Sequence, residues 1–120
     1  MKIYTKPELE TFKNLLLELK VSEETQIKSF EDRIMEITEN GKDENSIDNT
    51  SYTMQLEQLS DAKNRCIKHY NQVKNALLRI DNGYYGVCVE TGKLIPKKRL
   101  MAVPTTTLSM EGKQLREIRK

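Results

Sequence analysis

Two stretches of this chain carry apolar residues at helical spacing. The first runs Leu9, Phe12, Leu16, Leu19, Ile27, Phe30, Ile34 and Ile37. Steps of three and four place these side chains on one face of a helix, interrupted at Glu23. Thr5 or Lys6 followed by Pro7 marks the start, and Glu8 and Glu10 suit the positive end of the helix dipole. Asn40-Gly41 is a stop signal. The second stripe runs Tyr52, Leu56, Leu59, Cys66, Tyr70, Val73, Leu77 and Ile80, in steps of 4-3-7-4-3-4-3 with Lys63 in the gap. That is a coiled-coil repeat, and it stops at Asp81-Asn82-Gly83.

The two stripes are of nearly equal length and flank a polar loop, NGKDENSIDNTS, at residues 40–51. They are expected to fold back as an antiparallel coiled-coil hairpin about 45 Å long, from a rise of ~1.5 Å per residue. Matching the stripes end to end sets Phe30 against Leu59, Leu19 against Tyr70 and Leu9 against Ile80. Glu23 and Lys63 then fall near each other and are expected to pair as a polar layer that fixes register. The alternative is that both side chains reach outward to water.

From Tyr84 the pattern changes. Gly83, Gly86, Gly92, Pro96 and Pro104 punctuate short apolar pieces, which predicts a small turn-rich module. Residues 106–119 are expected to form a closing helix capped by Thr106 or Thr107, with Leu108, Leu115 and Ile118 facing inward. The fold class is therefore mainly α, with a hairpin over 1–82, a tip loop near 40–51 and a globular module over 83–120.

Composition narrows the reading. The chain has 120 residues, 32% charged and 37% hydrophobic, with two Phe and no Trp, which suits long solvated helices more than a large core. No apolar run approaches ~20 residues, so no membrane span is expected. MKIYTKPELE has no apolar signal region, and two cysteines, Cys66 and Cys88, suggest reduced thiols in a cytoplasm. Net charge is +2, unevenly spread: residues 31–61 carry two Lys/Arg against nine Asp/Glu, and residues 62–120 carry thirteen against four. Such polarity suits an acidic end and a basic end presented to different surfaces.

Residues 86–95, GVCVETGKLI, have the form of a zinc knuckle with one sulfur missing. A structural zinc needs four N or S ligands. The spacing here, Cys88, Thr91, Ser109 and Gly112, keeps one ligand of four, and the sole His69 lies mid-helix. No bound metal and no other cofactor is expected. The Thr91 and Ser109 hydroxyls can hydrogen-bond across the former site, with Cys88 as a small buried apolar group. Nothing else has the form of a catalytic centre: there is no phosphate loop or acid/base pair, and His69 has no evident nucleophile partner.

RIDNGYYGVCVETGKLIPKKRLMAVPTTTLSMEGK, residues 79–113, resembles the C-terminal module of the DksA/TraR family of bacterial transcription regulators. The family pattern is R-I-x-x-G-x-Y-G-x-C-x-x-C-G-x-x-I-x-x-x-R-L-x-A-x-P-x-x-x-L-C-x-x-C. Thr and Ser in place of cysteines resemble its metal-free members. The resemblance implies a non-enzymatic, monomeric regulator that binds RNA polymerase without sequence-specific DNA contacts. It implies a coiled coil that enters the secondary channel and an acidic tip that modulates initiation. The family tip motif, two Asp separated by two residues and an Ala two further on, falls on Asn45, Asp48 and Thr50. Only Asp48 matches, with Asp43 and Glu44 as neighbouring carboxylates. Arg65 falls where the family uses a basic residue for polymerase binding, and Lys68 extends that basic flank. The family's alarmone positions fall on Gln72, Val103 and Lys113, of which only Lys113 is basic, so a weak guanosine tetraphosphate response is implied.

Three other readings compete. A Gre-type transcript-cleavage factor also carries an acidic hairpin tip. A nucleic-acid-binding module would use Lys97, Lys98 and Arg99, although a solvated turn explains that run better. A self-associating coiled-coil adaptor would use the two amphipathic arms.

Overall fold

The computed structural model describes residues 3–40 and 49–119. Its elements are α1 (Lys6–Asn40), α2 (Asn49–Asn82), α3 (Lys97–Ala102) and α4 (Met110–Ile118). The two periodic stripes are thus long helices, as the spacing predicts. Among the described residues the only β pairing is the isolated antiparallel bridge between Val87 and Leu94.

The helix ends follow from local chemistry. Thr5 and Glu8 form a capping box: the Glu8 carboxylate accepts from the Thr5 amide at 3.1 Å and the Thr5 hydroxyl at 2.8 Å. These hydrogen bonds hold the Glu8 carboxyl below its usual range. At the far end of α2 the Gly83 amide bonds the Ile80 carbonyl at 3.2 Å and the Tyr84 amide bonds the Arg79 carbonyl at 3.1 Å. That is a Schellman closure, and Gly83 supplies the positive φ of 83° it requires.

The described chain forms two compact units. One comprises Met1–Lys20 with Gln72–Lys120, and the other Val21–Asn71. In the first unit the early turns of α1 meet the late turns of α2 and the C-terminal module. Its core is Phe12, Leu16, Val73, Ala76, Tyr85, Cys88, Ile95 and Leu100, none more than 1% exposed. Each large apolar side chain removed from water here contributes roughly 1.5–3 kcal/mol. Aromatic rings link the layers: Phe12 lies 5.5 Å from both the Tyr4 and Tyr85 rings. The Tyr4 hydroxyl donates to the Ile95 carbonyl, and the buried Tyr85 hydroxyl donates to the Pro104 carbonyl at 2.7 Å. Burial pushes the Tyr85 phenol up to about 12. Gly86, at φ 84°, lets the Tyr4 ring approach; a Cβ there would sit 2.7 Å from that ring.

In the second unit α1 and α2 face each other antiparallel, but not in the expected register. Glu23 pairs with His69 at 3.0 Å, and Glu31 with Lys63 at 3.4 Å. The Cys66 thiol donates to Gln26 at 3.6 Å and the Tyr70 hydroxyl to Glu24 at 3.2 Å. End-to-end matching of the stripes puts residue 66 opposite Glu23; Cys66 does lie beside that carboxylate, but its ion pair is with His69, three residues on, and the Glu23–Lys63 pair does not form. The offset of three residues is close to one helical turn. A shift of one turn leaves every apolar side chain on the seam, so periodicity alone cannot choose between the registers. Polar pairing does.

Two further expectations fail in the module. The closing helix starts at Met110, capped by Ser109 and not by Thr106 or Thr107. The Thr106 hydroxyl is occupied elsewhere, accepting from the Leu108 amide at 3.2 Å and from Arg99 at 3.4 Å. Leu108 packs against the core, whereas Leu115 and Ile118 are exposed. Of α4 only Gly112 is buried; Arg116 and the C-cap Arg119, exposed themselves, lie on its side of the helix at i+4 and i+7. The run Lys97-Lys98-Arg99 opens α3, a short helix the sequence does not announce.

Candidate functional site

Around Cys88 the chain builds the knuckle of a zinc finger. The Gly92 amide bonds the Cys88 carbonyl at 2.8 Å and the Cys88 amide bonds the Lys93 carbonyl at 2.8 Å. Gly92 turns the chain at φ 70°. The structure brings Cys88, Ser109 and Gly112 together, with Thr91 beside them. Ser109 Oγ accepts from the Gly112 amide at 3.0 Å and donates to Cys88 Sγ at 3.4 Å. A Cβ on Gly112 would lie 2.4 Å from Cys88 Sγ, so the absent side chain at 112 is what admits the sulfur. Burial pushes the Cys88 thiol up, but hydrogen bonds from Ser109 and Thr91 outweigh it and hold the thiol at about 7.

This donor set does not fit zinc. It offers one thiol, two hydroxyls and no side chain at position 112, and the Ser109 hydroxyl already caps α4. Among the described residues no group of three His, Cys, Asp or Glu can hold a metal ion. A different device ties α4 down. The Glu90 carboxylate, 13% exposed, receives Arg116 Nε at 3.2 Å and Nη2 at 3.1 Å on one oxygen, and pairs with Arg119 through the other. Sequence reading missed this clamp. Its only trace is that Arg116 and Arg119 share the helical face of Gly112, while Glu90 is distant in sequence and carries no local pattern.

Arg65 and Lys68 are exposed on α2, three residues apart on one face. Arg65 borders a mixed recess of about 330 Å³ lined also by Glu23, Gln26, Phe30, Ala62, Cys66 and His69. Desolvation and the Glu23 carboxylate together push the Cys66 thiol up. His69 takes part in a cross-helix pair with Glu23, consistent with a seam-edge position. The tip residues Asp43, Glu44, Asn45 and Asp48 lie outside the described residues; Thr50 belongs to the first turn of α2, and its side chain also lies outside them. Gln72 and Val103 border one recess of about 410 Å³ whose only cation is Arg79, half-buried and bonded to the Thr105 carbonyl at 3.2 Å.

The basic run at 97–99 does not form a continuous exposed patch. Arg99 Nε donates to the Leu108 carbonyl at 2.7 Å, which makes it a tether inside the module. Lys97 lies near enough to Glu8 to help lower its carboxyl.

A pair of long helices with a knuckle module locked by hydrogen bonds and ion pairs defines a finger protein whose knuckle lacks a zinc ligand set. Residues 83–117 match the model of the prokaryotic dksA/traR C4-type zinc finger. The chain is 40% identical over 58 residues to the RNA polymerase-binding transcription factor DksA of Caulobacter vibrioides, a match spanning 48% of this chain and 41% of that relative. It is 34% identical over 106 residues to an uncharacterized protein of Aquifex aeolicus, spanning 82% of this chain and 68% of that one. The solved structure of transcription factor DksA2 from Pseudomonas aeruginosa superposes with a TM-score of 0.87 at 30% identity, over 95% of this chain and 86% of that one. The chain belongs to the DksA/TraR family. No described helix is long and apolar enough to cross a membrane.

Proposed function

We propose that this chain is a transcription regulator that binds RNA polymerase and places an acidic tip in the secondary channel to modulate initiation. The observation that carries the reading is the likeness to DksA2 along 95% of the chain, not merely in the finger module. The Caulobacter relative's name states polymerase binding for that protein. Charge supports the same division of labour. The segment around the tip is strongly acidic, with Asp43, Glu44 and Asp48 as candidate working groups, Asn45 and Thr50 as the altered motif positions. The exposed pair Arg65 and Lys68 provides a cationic dock for acidic polymerase surface. In this reading the protein acts as a monomer in the cytoplasm and catalyses nothing itself.

The tether of Arg99 to the Leu108 carbonyl weighs against the nucleic-acid reading, because it withdraws one cation of the 97–99 run from phosphate neutralisation. With Arg79 tied to a carbonyl, the Gln72–Val103 recess is a poor polyphosphate site, in keeping with a weak alarmone response.

A reconstituted transcription assay tests the proposal. Arg65→Ala weakens polymerase binding at moderate salt. Asp48→Asn leaves binding intact and removes the effect on initiation. Equal transcriptional effects from the Asp48→Asn and unmodified chains would overturn the tip assignment. Stimulated cleavage of backtracked RNA would favour the Gre-type alternative.

A further inference from the structure

One groove of the C-terminal module lies beside the knuckle, sharing Thr91 and Ser109 with it and Val103 with the Gln72 recess. Between the strand-like segment at Lys93-Leu94, helix α3 and the head of α4 runs an open groove of about 510 Å³. Its apolar walls include Leu94, Pro96, Ala102, Val103 and Met110. Val103 and Met110 are 44% and 54% exposed, and Met101 beside them is 47% exposed. A volume of this order matches that of pockets which bury a large side chain or a small ligand. Methionine at the mouth can adapt its shape to the group that enters.

Charge decides what kind of group that is. Lys93 and Lys98 border the groove, both exposed, and neither forms an ion pair among the described residues. Arg99 lies along the wall, its side chain fixed by the Leu108 carbonyl and by Met110 Sδ at 3.0 Å. Against these three cations stands one carboxylate, Glu111. No aromatic side chain lines the groove, so there is no platform for stacking nucleic-acid bases. The ion-pair-free lysines at the border are complementary to carboxylates, and the aliphatic walls to an apolar anchor.

We propose that this groove receives an acidic protein segment carrying a large apolar side chain, which buries in the groove while flanking carboxylates pair with Lys93 and Lys98. This contact is separate from the proposed dock at Arg65 and Lys68, and it stands whether or not the chain binds polymerase. The groove then acts as an adaptor surface. The aliphatic anchor supplies affinity and the lysines supply orientation and salt sensitivity.

The test titrates the full-length 15N-labelled chain with the capped peptide Asp-Glu-Asp-Leu-Phe-Asp-Glu-Asp at moderate salt. Amide shifts at Leu94, Lys98, Ala102, Val103 and Met110 are expected. Replacing Leu-Phe by Ser-Ser weakens binding at least about tenfold, as does Ala102→Glu, which places a carboxylate in the exposed wall. Lys98→Glu keeps the fold and weakens binding in the same direction. Three results overturn the proposal: no shifts at millimolar peptide, unchanged affinity for the Ser-Ser peptide, or shifts gathered on α2. Groove shifts that grow with protein concentration in the absence of peptide would assign it to a second copy of this chain and overturn it as well.

Discussion

Gly112→Ala tests the idea that close approach of sulfur and helix has taken the place of a metal. An alanine within a helix ordinarily stabilises by up to ~1 kcal/mol over glycine, through lower backbone entropy in the unfolded chain. Gly112 has no positive φ, so backbone strain does not interfere. Space does. The new Cβ would stand 2.4 Å from Cys88 Sγ, 3.3 Å from Ser109 Oγ and 3.4 Å from Glu90 Cβ. The first separation falls more than an ångström short of an ordinary contact of about 3.5–4.0 Å. Overpacking of this kind costs ~1–3 kcal/mol, and with the sulfur buried on all sides the upper end applies. The net expectation is a loss of about 2 kcal/mol, or roughly 1 M in the urea midpoint. Cys88→Ala alone costs about 1–2 kcal/mol through lost burial and a deprived Ser109 hydroxyl. In the Cys88→Ala background the obstacle is gone, and Gly112→Ala stabilises. The cycle is read by urea unfolding of the four full-length chains, with a coupling of ~2–3 kcal/mol and a change of sign. If Gly112→Ala stabilises both backgrounds, or if the two changes simply add, the sulfur does not fill the space and the reasoning fails.

The remaining expectations concern the same module. Glu90→Gln loosens α4 from the knuckle; because both arginines are half-exposed or more, the loss is up to ~1 kcal/mol, seen as roughly fivefold faster hydrogen exchange in α4 amides and nowhere else. The Cys88 thiol, held at about 7 against an ordinary 9.0, titrates near neutrality, observed as thiolate absorbance in a Cys66→Ser chain. Between pH 7 and 9 the unfolded state binds more protons at this group, so stability rises with pH there and declines as pH falls through 7. A midpoint near 9 contradicts the hydrogen-bonded site. Tyr85, raised to about 12, has the opposite sign: its contribution is complete below pH 10 and is lost between pH 10 and 12. Tyr85→Phe removes that alkaline limb and costs about 1 kcal/mol for the Pro104 bond.

The two long helices were readable because their signals are local. Pro7 and Glu8, Asn40-Gly41 and Asn82-Gly83 punctuate apolar stripes long enough to outweigh single exceptions such as Glu23. The knuckle was readable because glycine spacing and Cys88 survive the loss of the metal ligands. Register was not, because a slip of one turn conserves the stripe, and the pattern marks Glu23 only as an interruption and does not mark its partner His69 at all. The inward face of α4 was misread for a related reason. Hydrophobicity nominates Leu115 and Ile118, but Gly112 must face Cys88, and Glu90 then captures Arg116 and Arg119. Tertiary partners distant in sequence set both outcomes.

The central claim, polymerase binding with a separable tip, is tested most directly by one titration. The fluorescently labelled chain is mixed with core RNA polymerase, alongside a version whose residues 41–48 are replaced by a Gly-Ser linker. The account predicts saturable binding by both at similar affinity, with the effect on initiation confined to the unmodified chain. Failure of the unmodified chain to bind core RNA polymerase at moderate salt would contradict it.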